Sequence, residues 1–128
     1  MTSSPVRLAL RQRLTKALRE RDKPTAAAIR SAVAALENAE AVPTSQHPVT
    51  ATSTHVAGAA IGVGAAEAER LALDEATESA ILRAEVDSLI EAAREYESLG
   101  RGERAAEARA AADELSTVVH SVLGTTWG

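Results

Sequence analysis

The sequence predicts an all-α fold, mainly four helices arranged as two helical hairpins joined by a flexible loop rich in Ser, Thr, Pro and Gly. Three observations carry that prediction. Apolar residues recur every three or four positions over most of the chain, the pattern of helices with one buried face. Breakers fall between the periodic stretches, at Lys23 with Pro24 and at Pro43. The stretch from Ile81 to Leu115 reads as two helices on either side of a turn built from Gly100 and Gly102.

The first helix is predicted from about Pro5 to Arg21, with Val6, Leu10, Leu14 and Leu18 as its apolar sector and Asp22, Lys23 and Pro24 as its breaker. Proline suits a first helical position, so Pro24 is expected both to end one helix and to begin the next. The second helix carries Ala28, Ile29, Ala32, Val33, Leu36 and Ala39 on one face and is expected to end near Ala41, ahead of Pro43. From Val42 to Gly64 prolines, glycines, serines and threonines gather with almost no charge and no period, which predicts a flexible connection. A short helix is expected near Ala65, followed by a long third helix from Asp74 to Leu99. At 1.5 Å per residue it would measure about 39 Å, long enough to project or to hold a second molecule.

On that helix Leu82, Val86, Leu89, Ala93 and Tyr96 form one stripe, matched on the return helix by Ala108, Ala112, Leu115, Val119 and Val122. A turn this short makes the two antiparallel neighbours. Gly100 suits the left-handed residue that ends a helix, and Glu103 places a carboxylate at the start of the next. The expected organisation is one domain over residues 1–128: a basic helical hairpin (1–41), the loop (42–64), an acidic helical hairpin (65–123) and a tail (124–128).

Composition narrows the function. Phe is absent and Tyr96 and Trp127 are the only Tyr and Trp, so the core must come from Leu, Val, Ile and closely packed alanine faces. Such a core is thin, and a homo-oligomer that covers more apolar surface is expected. The chain has no cysteine, which excludes disulfides and thiolate metal sites and fits a cytoplasmic protein. The N-terminus runs into a charged amphipathic segment, so no secretory signal is expected. The least polar run, Val56 to Ala66, falls short of the roughly 20 residues that span a bilayer, and no membrane partner is expected.

The net charge of −4 hides a partition. Residues 1–30 hold eight bases and two acids, net +6, while the remainder holds six bases and sixteen acids, net −10. Two readings follow: either the first helix docks on the acidic remainder, or it meets a polyanion whose counterions it displaces. The candidate nucleic-acid contacts are Arg11, Arg13, Lys16, Arg19, Lys23 and Arg30.

No catalytic constellation emerges, and no cofactor is expected. Gly62, Val63 and Gly64 lack the preceding strand and the following Lys with Ser or Thr of a phosphate loop. His47, His55 and His120 lack the close helical spacing of a metal site and read as surface histidines, so no metal is expected. Glu91 and Glu95, with Arg94 between them, read as a solvated face rather than an acid and base pair. Ser31, Ser88 and Ser98 sit in helices with no histidine at helical spacing. Tyr96 reads first as a packing residue with a wet hydroxyl, ahead of a base-stacking role. With Arg101 it forms the candidate contact for a partner.

Two motif sets resemble the YqeY-like family, the GatB/YqeY group. The opening carries Arg21, Asp22 and Lys23 at a turn, then Ile29 with Arg30, then Asn38, Ala39 and Glu40. The hairpin carries Tyr96 and Glu97, Gly100 and Arg101, then Glu103, Arg104 and an alanine-rich return from Ala105. The likeness covers about two thirds of the chain. Typical members continue through a Leu-Pro step into a region similar to the tail of the GatB subunit of a tRNA amidotransferase, and this sequence shows no counterpart of it. The resemblance implies a non-catalytic accessory or binding role linked to tRNA or to a translation-related protein. The alternative is a helical protein-interaction module, possible as a homodimer on the long third helix. Carbon–nitrogen ligase activity, with glutamine as amide donor, is implied by family association alone.

Overall fold

A computed structural model of the chain describes residues 4–45 and 72–124. Among them are four helices and no strand: α1 (Pro5–Arg19), α2 (Lys23–Ser45), α3 (Glu75–Ser98) and α4 (Gly102–Leu123). The all-α expectation holds. The connection from residue 46 onward, the short helix expected near Ala65, and the tail from Thr125 to Gly128 lie outside the described residues.

The helix ends explain the boundaries. Ser4 caps α1, its hydroxyl accepting from the Arg7 N–H at 3.2 Å, and Pro5 takes the first helical position. At the other end the Arg21 N–H donates to the Leu18 carbonyl (3.2 Å) and the Asp22 N–H to the Ala17 carbonyl (2.8 Å). This pair of bonds is the Schellman closure, and it holds Arg21 in the left-handed region at φ +59. Asp22 then caps α2: its side chain accepts from the Thr25 N–H at 3.3 Å and its carbonyl from the Ala26 N–H at 3.0 Å. The junction therefore belongs to Arg21 and Asp22, with Pro24 as the second residue of α2 rather than the breaker. At its far end α2 runs two residues beyond Pro43, past the expected stop near Ala41. Proline withdraws a single N–H from the ladder, and one further turn remains helical.

Asp74 caps α3 by accepting from the Thr77 N–H at 2.8 Å, and Glu75 and Glu78 place acids in its first turn. The α3–α4 turn repeats the Schellman closure. Gly100, at φ +76, donates its N–H to the Glu97 carbonyl (3.0 Å), and Arg101 donates to the Tyr96 carbonyl (2.8 Å).

The helices run up and down as an antiparallel bundle. Arg7 meets Glu40 and Arg11 meets Glu37, which sets α1 against α2 in reverse direction. The Ser31 hydroxyl donates to Glu85 at 2.8 Å, joining α2 to α3. The core between the four helices includes Val6, Leu10, Ile29, Leu36, Leu82, Val86, Leu115 and Val119. Towards the α3–α4 turn a smaller cluster of Ala93, Ala105 and Ala108, with Tyr96 against it, packs two helices by alanine contact. The third helix, expected to project or to hold a second molecule, packs against α4 in both clusters.

The expected stripes are buried on α2, α3 and α4, with Val33, Ala39, Leu89, Tyr96 and Val122 at their half-buried edges. On α1 the stripe departs from expectation. Val6, Leu10 and Ala17 are buried, while Leu18 is 50% exposed. Steps of four advance about 40° beyond a full turn, so three of them carry Leu18 about 120° away from Val6. Ala17 lies back over Val6 and takes the core position.

Candidate functional site

The first three arginines of α1 each meet a carboxylate of the fold. Arg7 grips Glu40 through both terminal nitrogens at 2.9 and 3.4 Å, with both side chains largely buried. Arg11 meets Glu37 at 3.4 Å on the open surface. Arg13 reaches α4, where its Nε and Nη2 both lie 2.9 Å from Glu114 Oε1. Arg7 Nε and Arg13 Nη1 are buried with no acceptor among the described residues, a local penalty.

The next cations differ. Lys16, Arg19, Arg21, Lys23 and Arg30 are all exposed, and none joins an ion pair among the described residues. They surround the α1–α2 turn. Arg21, Lys23 and Arg30 line a hollow of about 470 Å³ whose floor includes Ala17 and Ala26 and whose rim includes Leu18. Of the two acids in the same turn, Asp22 is engaged in capping α2. Of the six nucleic-acid candidates read from the sequence, Lys16, Arg19, Lys23 and Arg30 are thus free for a partner, while Arg13 is held by Glu114 and Arg11 is shared with Glu37. Arg21 joins them; the sequence predicts it in the last turn of the first helix, and the structure puts it in the turn beyond α1.

A second hollow, a groove of about 560 Å³, opens between the start of α2, the second half of α3 and the first half of α4. Lys23 and Ala27 line both hollows, so the two adjoin. The groove is polarised. At one end stand Lys23, Tyr96 and Arg104; at the other, Ser31 and Glu85. Between them the lining is mainly alanine, with Leu89. Tyr96 is half-buried, and Arg101, which donates to its carbonyl, is exposed. The two candidate partner contacts therefore sit together at the hairpin end, but only Tyr96 reaches the groove.

The remaining polar groups do structural work. Arg94 and Glu91 form an exposed pair at 3.4 Å, as a solvated face requires. Arg109 binds Glu97 at 2.9 Å across the α3–α4 turn, and its hydrogen bond and charge hold the Glu97 carboxyl below its ordinary range. The Thr77 hydrogen bonds do the same for Asp74. Ser98 bonds to the Glu95 carbonyl, and Ser31 to Glu85. Among the described residues no group of three or more His, Asp or Glu is placed to hold a metal ion, and no helix is long and apolar enough to cross a membrane. His120 lies exposed in the last turn of α4, while His47, His55 and the Gly62–Gly64 run lie outside the described residues.

No known protein family, curated protein or solved structure matches this chain.

Proposed function

We propose that the chain is a non-catalytic helical binding protein that docks on RNA, with tRNA as the first substrate to test, through the α1–α2 turn. The supporting observation is a contrast within the first helical hairpin. Arg7, Arg11 and Arg13 are matched by carboxylates of the fold, while Lys16, Arg19, Arg21, Lys23 and Arg30 are gathered at one end without such partners. Exposed cations near a phosphate chain release condensed counterions and gain affinity at low salt. The resemblance to YqeY-like proteins adds the tRNA connection.

The test is tRNA binding at low and moderate salt, with wild type and a variant carrying Lys16→Gln, Arg19→Gln, Lys23→Gln and Arg30→Gln. All four are exposed, so the fold is expected to persist. Each phosphate that the variant no longer neutralises should flatten the slope of log affinity against log salt by about 0.7–0.9. Absent affinity, or affinity indifferent to the substitutions and to salt, would end this reading. A protein-interaction reading is favoured by two exposed leucines at the turn end, Leu18 (50%) and Leu99 (65%). Sedimentation over a range of concentrations tests its homodimer form. A ligase function draws support only from the family resemblance.

A further inference from the structure

We infer that the groove between α2, α3 and α4 takes one unpaired nucleotide of the bound strand, stacked on Tyr96. The inference rests on the RNA reading and names the part of the RNA that the protein grips. Four observations on the groove support it. Its volume, about 560 Å³, falls within the roughly 300–1,000 Å³ of small-ligand sites. Its wall carries Tyr96, the single tyrosine of the chain, half-buried beside a floor of small side chains. Any base has a face that can lie on such a ring.

Its charge is divided by position. Lys23 and Arg104 stand on α2 and α4, on either side of the Tyr96 end, and neither is in an ion pair among the described residues. They suit the phosphate. The carboxylate of Glu85 lies at the far end, fixed by the Ser31 hydroxyl at 2.8 Å. One of its oxygens remains able to accept from an exocyclic amino group, which adenine, guanine and cytosine carry and uracil lacks. Glu107 also lines the groove and lies one turn along α4 from Arg104, so Lys23 carries the larger share of the phosphate contact and Arg104 the smaller.

A docked helix fits less well. It would need several deep apolar pockets at helical spacing, and here the lining between the two ends offers alanines, Ser88, Glu107 and one leucine. The groove also adjoins the basic hollow at Lys23 and Ala27, which line both. A strand lying along the α1–α2 turn therefore passes beside it.

The experiment uses the full chain with AMP, short oligo(A), short oligo(U) and a blunt RNA duplex. Because Tyr96 is the sole tyrosine, its ring resonances report directly on the groove. AMP is expected to shift them, and oligo(A) to bind more tightly than oligo(U). Tyr96→Leu keeps the apolar packing and should weaken oligo(A) by about tenfold or more, leaving the duplex unchanged. Arg104→Gln, at an exposed position, should weaken oligo(A) without touching the core. If RNA binds with strong salt dependence but both substitutions are inert and AMP leaves the ring unmoved, the groove assignment is overturned and the RNA reading stands. If AMP shifts the ring yet no RNA binds at low salt, the RNA reading fails and with it the claim that the nucleotide belongs to a strand. If neither binds, both fall.

Discussion

Arg13 and Glu114, 101 residues apart in the sequence, meet at 2.9 Å and tie the first helix to the last. The arginine side chain is only 14% exposed, while the carboxylate is 43% exposed. A pair so placed lies between the open surface, where an ion pair contributes little, and the interior, where removing one partner strands the other. Glu114→Gln is expected to lower stability by about 1–2 kcal/mol in urea unfolding. Arg13→Met combined with Glu114→Gln should recover much of that loss, since no charge is left stranded. A double variant less stable than Glu114→Gln alone would contradict this account.

The two tight turns share one geometry but not one residue. Gly100 accepts its left-handed conformation readily, whereas Arg21 holds the same region with a side chain attached. Arg21→Gly should therefore stabilise the fold by about 1 kcal/mol, and Gly100→Ala should destabilise it by about as much. A Cβ at Gly100 would meet nothing within 4 Å, so the effect of alanine there is conformational rather than steric. Thermal or urea midpoints measure both. If RNA docks on this turn, Arg21→Gly should also weaken binding while it raises stability.

Acid should loosen the bundle through identifiable carboxylates. The Arg109 hydrogen bond keeps Glu97 ionised below its ordinary range, and the Thr77 bonds do the same for Asp74. A carboxylate with a lowered folded-state pKa adds stability above its unfolded value and loses it as the pH falls through the folded value. The urea midpoint should therefore drop as the pH falls below about 4. In Glu97→Gln the drop should be shallower, and an unchanged profile would remove Glu97 from the explanation.

The alanine-packed end near the α3–α4 turn should resist enlargement. Ala93 is fully buried, in a cluster with Ala105 and Ala108. Ala93→Leu has no room to expand without separating the helices and should cost about 1–3 kcal/mol. Leu115→Ala in the main core opens a cavity instead and should cost about 2–5 kcal/mol. Both are read from denaturant midpoints.

What the sequence disclosed depended on how local the information was. The buried faces of α2, α3 and α4 follow from periodicity, because a helix in a bundle must bury one side. The Gly100 turn was equally legible, since few residues other than glycine favour its φ. Leu18 misled because a run of steps of four drifts around the cylinder. The turn at Arg21 was hidden because its closure lies in two backbone bonds that any residue can make. The Arg13–Glu114 pair was hidden for a different reason: charge counts give the chance of a match, but the register of α1 on α4 decides which residues meet. The groove, likewise, is built from three helices and has no signature in any one of them.

The up-and-down course of the bundle has a mechanical consequence. Ser4, the end of α2, the start of α3 and Gly124 share the end opposite the α1–α2 turn, so the described chain enters and leaves the bundle on one side. If RNA docks at the turn as proposed, a tether acting through Ser4 or Gly124 would pull on the end away from Arg19, Arg21 and the Tyr96 groove.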